Sequence, residues 1–349
     1  MRAAVMRGRR LCVAELPDPV PGPGQVLAKT LACGICGSDL HALRHAERMV
    51  EAARDAGAQA FVMDLARDVV MGHEFCAEIL DFGPGCERRL RPGARVCAMP
   101  IVPHAGGASS VGYSNEFPGG YGERMLLAEP LLLPVPNGLA TEAAALTEPF
   151  AVGEHAVVKA RLERADAPLV VGCGPVGLAV IAALRRRGIE PIVASDFSPA
   201  RRALATKLGA HVAVDPARES AFVRLAEEAA GRSALVFECV GVPGMLERLC
   251  REAPTGARIV VAGVCMEEDR IRPFVPLVKE IQLQFVLGYA PDEFATTLRA
   301  IAEGEIDTSP LVTGKVGVDG VAGAFEALAQ PERHAKVLVE PWREGRLAD

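Results

Sequence analysis

Between residues 168 and 288, short apolar runs alternate with helical patterns, and this alternation narrows the possible folds more than any other feature. "PLVVG", "EPIVAS", "AHVAV", "ALVFECV" and "ARIVVAGV" read as buried strands. "PVGLAVIAALRRRG", "SPARRALATKLG", "ESAFVRLAEEAAG" and "PGMLERLCREA" lie between them as helices. Ser198 before Pro199 is an N-cap followed by a first-turn proline, and Gly209 stands where that helix should stop. Strands that alternate with helices predict a doubly wound parallel sheet. The first strand-to-helix turn, "LVVGCGPVGLAV", carries Gly172, Gly174 and Gly177 in G-x-G-x-x-G spacing. Gly172 permits the tight turn, Gly174 lets a pyrophosphate approach the positive helix N-terminus, and Gly177 lets helix and strand pack closely. Pro175 and Val176, inside that turn, join the expected cofactor contacts. Asp196 follows Gly177 by 19 positions, at the end of the next strand. A carboxylate there accepts bonds from a ribose 2′-hydroxyl and repels a 2′-phosphate, which favours NAD over NADP. Arg201 and Arg202 leave a minority NADP reading open.

The flanking segments have another texture. Gly and Pro break residues 1 to 149 into short apolar runs, as in a loop-rich β domain. The tail from 289 returns to mixed structure and ends in the strand-like "AKVLVEP". This predicts two domains, one over 1–149 plus 289–349 and a dinucleotide-binding one over 150–288. A length of 349 residues suits that division. The net charge of −6 and the lack of a basic stripe argue against nucleic-acid binding. No apolar run approaches a membrane span, and the basic start lacks a signal-peptide core. Ten cysteines in a chain of this size read as reduced thiols, packing or metal ligands, in keeping with a cytoplasmic enzyme.

The opening domain offers metal-ligand types in separated segments: Cys36 in "CGICGSDLH", His73 and Glu74 in "VMGHEF", and Glu148 in "AALTEPF". Thiolate, imidazole and carboxylate together suit an open catalytic zinc site, although spacing alone does not join them. "CGICGSDLH", "GHE", "TEP" and the downstream glycine turn, in this order, resemble the zinc-dependent medium-chain alcohol dehydrogenase superfamily, nearest its sorbitol and threonine dehydrogenase branch. The resemblance runs from "RAAVMRG" to "HAKVLVEP". It implies a GroES-like, mostly β catalytic domain beside a Rossmann domain, and hydride transfer between NAD and an alcohol or its carbonyl. It further implies that Cys36 and His73 bind zinc, with Glu74 as third ligand or alternating with water. Glu148 would take the other ligand position, directly or through water. Asp39 would accept the His73 ring N–H and fix its tautomer. Ser38 would touch the substrate hydroxyl and His41 would pass its proton toward solvent, while Cys33 packs. The loops after "FECVG" and "VVAGVC", with Val240 and Val264, would contact the cofactor, and Arg201 would reach its adenosine ribose.

Two departures and an insertion qualify this. Gly37 replaces a cationic residue found in liver-type members. No cysteine lies between Cys97 and Cys173, so a structural zinc is not expected and one zinc per subunit is. The interval from Cys36 to His73 is longer than the resemblance implies, by about a dozen residues, and the extra "HALRHAERMVEAARDAGAQA" has Leu43, Ala46, Met49, Val50 and Ala53 in helical rhythm ending near Gly57. That helix either covers the catalytic domain or walls a substrate cleft. Phe75, Phe117, Tyr121 and Phe150 are candidates for core first and for an apolar pocket second. "IQLQFVLGY" resembles the edge strand that pairs across a two-fold axis, implying a homodimer or homotetramer. The rivals are a zinc-free quinone-reductase type of the same superfamily and a structural relative without catalysis.

Overall fold

The alternating segment forms one parallel sheet of six strands in the order Val212–Val214, Val193–Ser195, Asp166–Val171, Ser233–Glu238, Arg258–Val261 and Gln282–Phe285. The first strand in sequence is central and the chain winds outward from it in both directions, which is the Rossmann order. Its core is aliphatic: Leu169, Val193, Val236, Ile259 and Leu249 are fully or nearly fully buried. The helix Pro175–Arg186 is buried from Gly177 through Leu184, as befits an element that packs on the sheet centre. Ser198 caps the helix Pro199–Leu208 by accepting the Arg201 N–H at 3.1 Å, and Gly209 ends it at φ +120°, as expected.

This computed structural model describes residues 1–330, 332–345 and 347. The chain divides into two compact units, one of Met1–Glu148, Phe294–Ala302 and Val312–Asp349, the other of Pro149–Glu293 and Glu303–Leu311. The return to the first unit thus falls at Phe294 rather than 289, and 303–311 rejoin the second unit. Sequence texture carries no sign of that excursion, because both units there use ordinary helix and turn residues.

The first unit is built on a sheet in the order Val312–Val316, Lys336–Val339, Gln25–Gly34, Glu74–Phe82, Arg95–Ala98 and Leu132–Pro134, with Arg124–Ala128 also pairing to Gln25–Gly34. Gln25–Gly34 is the axis, and its register sets Gly34 opposite Glu74 on one side and Leu338 on the other. The lobe after Cys97 forms a hairpin of Ile101–His104 and Gly107–Ser110, with His104 stacked on Phe117 at 6.2 Å. Phe75, Phe117 and Tyr121 are buried in this unit and Phe150 is buried in the other, so all four are core residues.

The insertion is helical, as expected: Gly37–Asp55 consists of two helical stretches joined at His45, whose φ of −131° and ψ of 35° are non-helical, the first opening inside the "CGICGSDLH" segment and the second lying within the insertion. Their buried face is Asp39, Ala42, Ala46, Met49, Val50 and Ala53, so the apolar stripe covers the unit's own core. Among the described residues no helix is long and apolar enough to cross a membrane.

Candidate functional site

The strand Gln25–Gly34 ends, and the helix Gly37–Asp55 begins, at Cys36. The neighbouring strand Glu74–Phe82 begins where the chain emerges from Gly72, whose φ of +102° disfavours a side chain. Two element ends therefore deliver three donors to one place. Ligand atoms of Cys36, His73 and Glu74 lie within 4.8 Å of one another, and this is the one such convergence of three or more His, Cys, Asp or Glu among the described residues. Thiolate, imidazole and carboxylate form a donor set that suits zinc.

Asp39, fully buried, organises these donors. Its Oδ2 accepts the backbone N–H of Cys36 at 3.0 Å, and its Oδ1 lies 3.4 Å from His73 Nδ1. With Nδ1 turned toward a carboxylate, the Nε2 lone pair of His73 is left for a metal. The hydroxyls of Tyr113 and Tyr121 donate to Asp39 at 2.7 and 2.6 Å. Burial would raise the Asp39 pKa, but His73 and the two tyrosines outweigh it and hold the carboxyl below its usual range.

Glu74 has a partner that sequence reasoning missed. Lys336 Nζ sits 2.7 Å from both carboxylate oxygens and donates to the Ile35 carbonyl at 3.0 Å, with both side chains fully buried. Gly34 makes room for the pair, since a Cβ there would fall 2.0 Å from Glu74 Oε2. The signal was a lysine at the head of an otherwise apolar closing strand, "KVLV". Glu148, in the first turn of the helix Thr147–Lys159, is buried but outside the three-donor group, within electrostatic reach of Lys336. Cys33 is fully buried against the backbone of Gly72 and Gly120, where it packs.

Ser38 and His41 lie one turn apart on the same helix. Ser38 Oγ is 2.9 Å from Tyr113 Oη, a second partner absent from the sequence reading. The tyrosine was visible only as one aromatic in a glycine-rich lobe.

In the second unit the glycine turn has the form a dinucleotide requires. Gly172 adopts φ +91°, and a Cβ there would fall 2.7 Å from Val240 Cγ2. A Cβ on Gly177 would fall 1.8 Å from the Gly172 carbonyl oxygen, so helix and turn touch backbone to backbone. At Gly174, the helix N-cap, no chain atom lies within 4 Å of the Cβ position. Pro175 and Val176 open the helix there. That open space at a helix N-terminus fits a pyrophosphate. Asp196 accepts the Cys173 N–H at 2.7 Å and the Ser198 N–H at 2.8 Å, which fixes its carboxylate beside the turn. Arg202 is fastened inward, donating to the carbonyls of Asp196 and Phe197 at 2.8 Å, whereas Arg201 Nε is buried without a partner. Glu238 accepts the N–H groups of Val240 and Gly241 and so ties down the loop after its strand. Val264, in the loop after Arg258–Val261, is partly exposed.

Comparison with known proteins gives consistent matches for both units. Residues 22–137 match the family described as alcohol dehydrogenase GroES-like domain, and residues 175–303 match zinc-binding dehydrogenase. The chain is 31% identical to an (R,R)-butanediol dehydrogenase of Bacillus subtilis, covering 98% of this chain and 100% of that protein. It is 28% identical to a sorbitol dehydrogenase of the same organism, covering 98% of each. The crystal structure of 2R,3R-butanediol dehydrogenase from Bacillus subtilis superimposes with a TM-score of 0.82 at 30% identity, over 97% of this chain and 99% of that one.

Proposed function

The chain belongs to the zinc-dependent medium-chain alcohol dehydrogenase superfamily, and we propose that it oxidises a small secondary alcohol bearing a neighbouring hydroxyl. It is an NAD-dependent oxidoreductase acting on CH–OH donors, and the same chemistry runs backward as carbonyl reduction. One observation carries the reading of the site: three donors of zinc type, far apart in sequence, converge within 4.8 Å. A zinc-free quinone-reductase type would have no use for that convergence.

In this reading Cys36, His73 and Glu74 hold one zinc per subunit, with Glu148 at the other ligand position, directly or through a water. When bound, zinc supplies Lewis-acid polarisation of the alcohol oxygen and the nicotinamide supplies the hydride acceptor. Asp39 holds the His73 ring and the Cys36 backbone in their orientation. Ser38 accepts the proton of the substrate hydroxyl and His41 passes it toward solvent. Gly172, Gly174 and Gly177, with Pro175 and Val176, receive the pyrophosphate at the helix N-terminus. Asp196 takes the ribose hydroxyls, with Arg201 beside it, and Val240 and Val264 line the path of the cofactor. Because Arg202 is committed to backbone carbonyls, it does not serve a 2′-phosphate.

A second copy of the chain is the expected partner. The helix Phe274–Val278, the edge strand Gln282–Phe285 and the residues just after it expose Phe274, Leu277, Val278, Phe285 and Leu287 by 59 to 75%. So large an apolar cluster beside an unpaired strand edge needs covering.

The deciding experiment follows absorbance of reduced nicotinamide with a panel of alcohols, vicinal diols included, before and after zinc is removed by a chelator and restored. Turnover of diols with NAD, lost with the metal and regained with it, is expected. Turnover that survives full metal removal would refute the reading.

A further inference from the structure

The hydrogen bond between Ser38 Oγ and Tyr113 Oη, at 2.9 Å, can in principle run either way. The neighbours remove that freedom. Tyr113 has one hydroxyl proton, and it gives that proton to Asp39 Oδ1 at 2.7 Å. Asp39 has none to return, because it already accepts from Tyr121 and from the Cys36 N–H and faces His73 Nδ1. Tyr113 therefore accepts from Ser38, and Ser38 must donate.

We propose that Tyr113 is a positioning residue for alcohol oxidation: by accepting the Ser38 hydrogen bond before the reaction it turns the lone pairs of Ser38 Oγ toward the substrate hydroxyl, and as Ser38 takes the alcohol's proton its own O–H leaves Tyr113 for the His41 relay, so that Ser38 ends neutral. This rests on the dehydrogenase reading above. A serine hydroxyl that is free to rotate has competing uses for its proton, nearby backbone carbonyls among them. A Ser38 that donated to the alcohol oxygen would leave the alcohol O–H without its acceptor. One tyrosine oxygen settles the polarity.

The ring that carries this oxygen is held firmly. Tyr113 is 4% exposed, and its ring lies 5.2 Å from that of His73 at 38° and 6.2 Å from that of Phe61 at 56°. Phe61 closes the short helical turn Gln59–Phe61, just beyond the inserted part of the long helix. The residue that backs Tyr113 thus follows directly on the inserted segment, whose last two residues share its helical turn.

The test is a double-mutant cycle of Tyr113→Phe and Ser38→Ala, which keeps the ring and removes only the hydroxyls. Tyr113→Phe should lower kcat by about tenfold, Ser38→Ala by more, and the double variant should match Ser38→Ala alone. Zinc affinity, measured by competition with a chromophoric chelator, and the NADH dissociation constant should be unchanged in Tyr113→Phe. Additive losses, or a loss of kcat that follows a loss of zinc, would overturn the inference by making Tyr113 a structural prop. Neutron diffraction of the wild-type crystal decides independently: a deuteron on Ser38 directed at Tyr113 is expected, and a deuteron on Tyr113 directed at Ser38 would overturn it. A wild-type protein that oxidises no alcohol would count against the dehydrogenase reading, and the deuteron position would still decide this inference.

Discussion

Asp39 is the residue on which most of the site's geometry depends. It gathers a ring nitrogen, two phenols and a backbone N–H around one buried carboxylate. In the metal-free protein, the groups it organises hold their protons tightly. Burial and the nearby Glu74 push the Cys36 thiol up, against the opposing pull of His73. Burial would lower the His73 pKa, but Asp39 and Cys36 outweigh it and leave it well above the ordinary value. A metal binds the thiolate and the neutral ring, so binding must expel those protons. Zinc affinity should therefore rise with pH and fall as pH drops through either group, with up to about two protons released per ion. Calorimetry of zinc uptake in buffers of different ionisation enthalpy measures that number. A pH-independent affinity would mean that Cys36 and His73 are not the ligands.

At the scale of elements, the glycine turn makes a pair of contrasting predictions. Gly177 lies where helix meets turn, and a Cβ there would fall 1.8 Å from a backbone carbonyl that no side-chain motion can clear. Gly177→Ala should destabilise the protein by about 2 kcal/mol or more, read by denaturant unfolding. Gly174 has φ −70° and open space at its Cβ position, so Gly174→Ala should fold with near wild-type stability. The added methyl group would nevertheless stand in the approach to the helix N-terminus. NADH affinity, followed by nucleotide fluorescence, should weaken by about tenfold. Equal effects of the two substitutions on folding would contradict this division of roles. The inserted helix teaches a related lesson. Its apolar rhythm was legible, but the helical stretch that precedes it, before the break at His45, was not, because two glycines in the motif disguise its first turn.

For the molecule as a whole, the exposed apolar edge is the feature that a lone chain leaves unresolved. Phe285 at the end of the edge strand and Leu287 just after it are 62 and 73% exposed. Wild-type protein should sediment as a dimer or tetramer. Phe285→Glu with Leu287→Glu should yield a smaller species, because charge at such an edge blocks strand addition. Light scattering on both proteins decides, and a wild-type monomer would refute the assembly.

The sequence by itself determined the parallel sheet, its glycine turn and acidic partner, and the helix caps, each of them local: a period, a cap or a spacing that a short stretch of chain enforces on its own. The candidate zinc donors, which no spacing joins, were brought together only by the resemblance of their motifs to a known family. Only the tertiary structure decided what those donors touch. Lys336 meets Glu74 across 262 positions of sequence, and Tyr113 meets Ser38 across 75. Such partners follow from strand register and loop packing, where the cost of burying a charge or a hydroxyl is met by whatever group the fold brings alongside. No pattern within one segment records that choice.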